Sequence, residues 1–525
     1  MTDHEVTIVG AGFGGRGAAI ALKRLGYGTD SRDLLILERE DDLGGTWHVN
    51  HYPGLAVDIA SVTYSYSFEP NPHWEHWFAR GAELKRYAEH VADTYDLRRH
   101  MRFGVSVEGA RWDEDEQHWV ISTQSGDRPQ SGDRAQSGDR PQSGDRARSG
   151  DRAQSRSHTS KFLLTATGFL SQPRLPDIEG VHDFAGEVIH TAKWDDAADL
   201  SGKRVAVIGT GATAVQLIPE IAGVAAELTV FQRTPIWVTP KTDFEIPAAV
   251  QRLFARLPWT QRVARAANST WLEAMMVTAV LHYRQARIFN RAAAALSQRH
   301  LRKQVVDPEL RRKLTPDYSF GCKRPTFSND YFPTFTQPHV TLETTPIERI
   351  TEDGVVTADG RETEIDTLVL ATGFNLWDAN FPAIEVIGRE GRNLGKWWRE
   401  QGYSAYEGVT VPGFPNFVTL NSPYSYSGLS YFMTIEVQMR HLERLFGELR
   451  SRGAETFEIS ERANAEFLAH MLERMDDTVF NLGACSTSRS YYFTNEGDAV
   501  ILRPTSSGAA RKAVERFPTG DYEFV

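Results

Sequence analysis

Cysteine is almost missing from this chain of 525 residues: only Cys322 and Cys485 occur. Two cysteines so far apart in sequence fit neither a disulfide framework nor a cysteine-rich metal site. They also supply no redox pair of the kind a disulfide reductase needs. Long apolar runs are missing as well. No stretch of about 18 apolar residues occurs, so no helical membrane span is expected. The chain opens MTDHEVTIVGAGFGG and enters a strand pattern at once, without the basic and apolar regions of a signal peptide. Excess positive charge is lacking too. The formal net charge is −11, which favours solubility and argues against a general nucleic-acid binder. These absences predict a cytoplasmic protein with no nucleic-acid partner and no stable membrane association; a monomer or weak homo-oligomer is expected, on no particular feature of the sequence.

What is present is ordinary in bulk and specific in pattern. Apolar content of 41 % and charged content of 24 % suit a folded protein, and the length calls for two or three hydrophobic cores. A strand over Val6–Val9 leads into Gly10, Gly12 and Gly15 at GxGxxG spacing, then a helix, then a strand ending at Glu38. The first glycine permits the tight turn, the second lets backbone approach a pyrophosphate, and the third lets helix and strand pack closely. The free amides of the helix N-terminus then face the phosphates. Glu38, set late by the GYGTDSRD connection, can accept from ribose hydroxyls; a solvated strand end is the plain alternative.

A second copy starts at Lys203. Its glycines are Gly209 and Gly211, with Ala214 completing the GxGxxA variant. Near the end of its second strand stands Arg233 rather than an acid. An arginine there can grip a 2'-phosphate in bidentate fashion, which favours NADPH over NADH; a surface arginine is the other reading. Two such sites suggest electron transfer between dinucleotides, FAD at the first and NADPH at the second.

Two apolar strands ending in Ala-Thr-Gly, FLLTATGF (162–169) and TLVLATGF (367–374), are expected to return the chain to the FAD-domain sheet before and after the NADPH domain. The predicted class is α/β, with two Rossmann-like domains and the NADPH domain inserted in the FAD domain. The predicted limits are 1–174 and 366–525 for the FAD domain and 175–365 for the NADPH domain. Within the latter, residues 245–315 have helical periodicity, read as a helical subdomain able to help wall a substrate cavity. A helix is expected over Ser430–Leu449, preceded by LNSPYSYSG, a loop placed to meet the flavin ring. Residues 125–156 contain five tandem SGDR units, without an apolar side chain larger than Ala or Pro, and read as a disordered loop insertion in a hairpin.

Three further segments carry a resemblance. FAGEVIHTAKWD places Phe184, Gly186, His190, Trp194 and Asp195 at FxGxxxHxxxWD spacing. GGTWHVNHYPGLAVD carries Gly44, Gly45, Trp47, Tyr52, Pro53, Gly54 and Asp58. CKRPTFSNDYFPTF carries Lys323 and Arg324. Together with the two dinucleotide motifs they resemble the Baeyer-Villiger monooxygenases, the type I, class B flavoprotein monooxygenases, over almost the whole chain except the repeat. The Trp-Asp ending separates this pattern from the related N- and S-oxidising flavin monooxygenases, which usually end the motif in Tyr-Lys. The resemblance implies that NADPH reduces FAD, that O2 then forms a flavin peroxide, and that this attacks a small-molecule ketone to yield an ester or lactone. It implies Arg324 as the active-site cation, Asp58 as its partner, Lys323 as a second contact to the 2'-phosphate, and His190 as a residue coordinating NADPH binding with domain movement. Trp47 is expected near the flavin, or in ordinary core packing. The chain departs from the pattern at Ala56-Val57, where relatives often have Arg-Cys, and at ACSTSRSYYF, which lacks the usual tryptophan. Both places border the substrate region. The competing readings are a flavin monooxygenase acting on amines or sulfides and a non-catalytic binding protein.

Overall fold

The computed structural model describes residues 2–30, 32–125, 154–426, 429–488 and 490–525. Most of the SGDR repeat therefore lies outside the described residues. Its flanks do not: Ser125 ends one strand and Gln154 begins the next, so the hairpin extends further into 125–156 than the sequence reading allowed.

The first sheet is built from β1 (His4–Val9), β2 (Leu34–Leu37), β3 (Met101–Arg102), β4 (Val105–Asp113), β5 (His118–Ser125) and β6 (Gln154–Thr165). The order across it is Glu385–Ile387, β4, β5, β6, β1, β2, β3, with Phe417–Thr419 added beside β6. β1 is parallel to β2 and β6, and its Val6 and Ile8 are fully buried. An apolar run covered on both faces is what a parallel strand requires.

The second sheet contains β7 (Glu187–His190), β8 (Arg204–Ile208) and β9 (Glu227–Phe231). All its strands are parallel, in the order Val340–Glu343, β9, β8, Thr367–Leu370, β7. In sequence this sheet falls between β6 and the last two strands of the first sheet.

One expectation is corrected. Thr367–Leu370 does not return to the first sheet; it pairs with β8 and β7 in the second. The 365/366 limit thus falls before the last strand of the second sheet. The reason is a repeated packing rule. Gly10 (φ +107°) lies against the Ala166 carbonyl, where a Cβ would come to 2.5 Å, and Gly209 (φ +116°) lies against the Ala371 carbonyl, where it would come to 2.4 Å. Each Ala-Thr-Gly strand packs on the first glycine of its own dinucleotide fold.

The 245–315 region is helical: Ala248–Arg256, Pro258–Met276, a π turn over Val277–Leu281, Tyr283–Gln304 and Pro308–Lys313. The predicted C-terminal helix runs Tyr431–Arg452 and packs on helix Phe13–Arg24.

Candidate functional site

A cavity of about 1700 Å3 runs between the two sheets. A pocket for one small molecule is usually about 300–1,000 Å3, so this one has room for two dinucleotides and a substrate. Gly10, Gly12, Glu38, Gly45, Trp47, Asp58, Gly209, Gly211, Arg233, Lys323 and Arg324 all line it. Eleven residues chosen from the sequence converge on one space. Gly15 does not line it; a Cβ there would meet the Gly10 carbonyl at 2.0 Å, so its place is the helix–strand contact.

The residues fit dinucleotides. Gly12 and Gly211 each precede the first turn of a helix, Phe13–Arg24 and Ala212–Ala222. A Cβ on Gly45 would stand 3.0 Å from the Gly12 Cα, and one on Gly211 would meet nothing within 4 Å. Backbone is thus bare where phosphates would approach. The Glu38 carboxylate, buried at the end of β2, accepts from the Ala11 N–H at 2.7 Å and the Glu40 N–H at 3.1 Å. Arg233 is exposed at the rim below β9, and the Lys323 Nζ stands over the Tyr318 ring. Trp47 makes an edge contact with Tyr64, 5.7 Å between centroids, and both rings reach the cavity.

Arg324 is held from two sides. Its Nε and Nη2 donate to the two Asp58 carboxylate oxygens at 2.5 and 2.8 Å. Its Nη1 donates to the Tyr426 hydroxyl at 2.6 Å. Burial would raise the Asp58 pKa, but the Arg324 charge and hydrogen bonds outweigh it and hold the carboxyl below its ordinary value. Burial likewise opposes the Arg324 charge, and Asp58 more than compensates. The Tyr426 pKa is raised by burial against the pull of Arg324, so the hydroxyl keeps its proton and donates it to the Leu429 carbonyl at 3.1 Å. A bidentate, doubly anchored guanidinium is a fixed positive charge with little freedom to reorganise.

Two expectations change here. His190 does not reach the cavity. It sits behind the wall at the end of β7, its Nδ1 accepting from the Ala192 N–H at 3.1 Å and its Nε2 lying 3.4 Å from the Thr372 hydroxyl. Ala192 and Thr372 line the cavity instead. Burial lowers the His190 pKa, which keeps the ring neutral and suits a structural group. Second, no residue between Ile236 and Lys323 lines the cavity, so the helical region does not wall it.

Cys322 and Cys485 form a disulfide, with 5.2 Å between Cα atoms. This overturns the reading that they serve no disulfide. The bond spans 163 residues and joins the Arg324 segment to the C-terminal region, a contact that sequence spacing cannot reveal. Neither cysteine lines the cavity, so the pair acts as a tie and is not placed as an electron acceptor.

Two residues escaped the sequence reading. Tyr426 was hidden in a loop of small and hydroxylated residues. Gln216, on helix Ala212–Ala222, donates to the Ala56 carbonyl at 2.9 Å and accepts from the Ala56 N–H at 3.2 Å. It clips the second dinucleotide fold to the Tyr52–Asp58 loop. Gly54 (φ +79°) permits that approach, since a Cβ would come to 2.6 Å from the Gln216 carbonyl. The only signal for Gln216 was its place on the outer face of the helix after Gly211.

Residues 4–257 match the pyridine nucleotide-disulphide oxidoreductase family and residues 147–387 the flavin-binding monooxygenase-like family. A Baeyer-Villiger monooxygenase of Streptomyces coelicolor is 35 % identical over 535 residues, covering 100 % of this chain and 95 % of the relative. A Baeyer-Villiger monooxygenase of Pseudomonas aeruginosa is 35 % identical over 522 residues, covering 99 % and 91 %. Among solved structures, OTEMO in complex with FAD and NADP superimposes with a TM-score of 0.82 at 26 % identity, covering 100 % of both chains. With the paired glycine cradles and the anchored arginine, these likenesses leave one conclusion: the chain belongs to the Baeyer-Villiger monooxygenase family.

Proposed function

We propose that Arg324, fixed by Asp58 and Tyr426, is the group that directs this monooxygenase to ketones. The reaction takes a ketone, O2, NADPH and a proton to an ester or lactone, NADP+ and water. When bound, FAD reduced by NADPH supplies the flavin that activates oxygen. The chain's own residues do the rest. The bare backbone at Gly12, Gly45 and Gly211 accepts phosphates, and Glu38 accepts from a ribose. Arg233 and Lys323 select the 2'-phosphate. Arg324 places a permanent positive charge and N–H donors where the carbonyl oxygen gains negative charge, the use for which preorganised donors are most effective.

The substrate end of the cavity is apolar and aromatic. Phe169, Trp377, Leu429, Tyr431, Tyr491 and Phe493 line it. Tyr491 and Phe493 come from the segment where the family tryptophan is missing. This wall supports a bulky apolar ketone over a small polar one. The observation that carries the proposal is the bidentate Arg324–Asp58 pair opening on the cavity shared by both dinucleotide motifs. The test is FAD-loaded enzyme with NADPH and O2 against cyclic, linear, aryl and steroid ketones, a sulfide and an amine, with products read by mass spectrometry. An ester or lactone one oxygen heavier than its ketone is expected. Oxidation of the sulfide or amine alone would overturn it.

A further inference from the structure

The helices that fail to wall the cavity carry an unusual outer surface. Of fifteen large apolar side chains left exposed among the described residues, eight fall between residues 248 and 304. On helix Pro258–Met276 the inner face is pinned to the protein: Gln261 donates to the Asn71 carbonyl, Arg265 to the Ser65 carbonyl and Asn268 to the Thr63 hydroxyl, and Leu272 is buried. The outer face therefore points away from the body. It presents Trp259, Val263, Ala267 and Trp271 at four-residue intervals, with Trp259 60 % and Trp271 58 % exposed. Leu253 and Leu257, one turn apart, lie just before it. Helix Tyr283–Gln304 repeats the pattern. Asn290 and His300 bond inward to the Phe320 and Ser328 carbonyls, while Ile288 (72 %) and Leu296 face out.

The same segment is the basic part of an acidic protein. Residues 248–304 hold ten arginines and lysines and one acidic residue, in a chain of net charge −11. Arg252, Arg256, Arg262, Arg287 and Arg291 are exposed and have no carboxylate within 4 Å among the described residues.

We propose that the outer faces of helices Ala248–Arg256, Pro258–Met276 and Tyr283–Gln304 form a reversible docking surface for an anionic lipid bilayer. Exposed Trp and Leu interleaved with arginine is the composition of helices that lie in a membrane interface: the apolar side chains enter the headgroup–acyl boundary and the arginines meet the lipid phosphates. Among the described residues no helix is long and apolar enough to cross a membrane, and docking of this kind needs none. A second copy of the chain fits this face less well, because a two-fold contact would set one basic surface against another. A nucleic acid would use the arginines but leaves the exposed Leu253, Val263, Ile288 and Leu296 side chains without a role. Resting on the ketone-oxidising reading, the surface would bring the enzyme to a phase that concentrates apolar ketones.

The test is co-sedimentation of the full-length, FAD-loaded enzyme with phosphatidylcholine vesicles containing either none or about 30 % phosphatidylglycerol, at low and high salt. Binding to the anionic vesicles, weakened by salt and accompanied by a blue shift of tryptophan emission, is expected. The Trp259→Ser/Trp271→Ser and Arg252→Glu/Arg256→Glu/Arg262→Glu variants should each lower the bound fraction at least about tenfold, with FAD content and turnover of a water-soluble ketone unchanged. No binding at any composition overturns the proposal, as does binding that both variants leave intact. Salt-sensitive self-association abolished by the same substitutions, without vesicle binding, overturns it in favour of a second copy. Because the readout is sedimentation, its failure is independent of whether any ketone is oxidised.

Discussion

Removing the Arg324 side chain is the most informative perturbation of the site. In Arg324→Ala the Asp58 carboxylate loses two charge-assisted hydrogen bonds and Tyr426 loses one. Breaking a buried pair from one side costs about 3–5 kcal/mol, since the remaining charge is left unpaired. Here the side chains are 20 % and 24 % exposed, and solvent screening brings the expected loss to about 2–3 kcal/mol. Removing both charges, in Asp58→Ala/Arg324→Ala, should recover most of that loss, because no orphan charge remains. Denaturant unfolding of these FAD-loaded variants, with Asp58→Ala to close the cycle, gives the coupling. Turnover separates the two roles. Both variants should lose ester formation by about 10²–10³-fold, the typical effect of deleting an oxyanion donor, while NADPH is still consumed and hydrogen peroxide released. Equal stability of the single and double variants would refute the pairing argument. An unchanged ester yield in Arg324→Ala would remove this residue from the mechanism.

Tyr426→Phe should keep FAD and NADPH binding but lower ketone turnover about tenfold, the worth of one hydrogen bond to a charged group; parallel loss of NADPH affinity would mean a general collapse of the wall. Arg233→Ala should raise the KM for NADPH about tenfold or more and leave that for NADH nearly unchanged; equal effects on both would sink the 2'-phosphate assignment. Thiol labelling of the native protein should find no free cysteine, and reduction or Cys485→Ser should cost about 2–4 kcal/mol; labelling of two thiols before reduction would disprove the bond. His441 is fully buried against Tyr522 and Phe517, and burial, with Arg503 and Arg444, pushes its pKa down to about 3. The unfolded chain takes up a proton near pH 6.5 that the folded chain refuses, so stability is constant above that pH and falls on acidification toward 3. At pH 5 the loss is about 2 kcal/mol, and His441→Gln should flatten this slope; an unchanged slope would place the acid sensitivity elsewhere.

Local pattern was enough for much of this molecule. The glycine spacings at 10–15 and 209–214 specify a strand, a turn and a helix N-terminus within one short stretch, and each of those steps is governed by neighbours in sequence. For that reason Glu38 and Arg233 could be read from the chain, while Gly45 and Trp47 came from the family resemblance; all four reach the cavity. Longer reach defeated the reading in specific ways. An apolar strand covered on both faces suits any parallel sheet, so Thr367–Leu370 could be recognised as a strand but not assigned to its sheet; the contact of Gly209 with the Ala371 carbonyl decides it. His190 lies two residues before the cavity-lining Ala192, yet its ring turns back to the Ala192 N–H and the Thr372 hydroxyl behind the wall.

What the sequence by itself determined is the pair of dinucleotide folds, the family pattern and the Arg324–Asp58 partnership that the pattern implies. Only the tertiary structure decided that Tyr426 completes the hold on Arg324 from 102 residues away, that Gln216 clips the two halves together, that Cys322 meets Cys485, and that the basic helices face outward. The physical reason is common to all four. Backbone conformation is set by short-range sterics and hydrogen bonds that a local pattern records, whereas these contacts depend on how two sheets and a helical layer pack, and packing is a property of the whole chain.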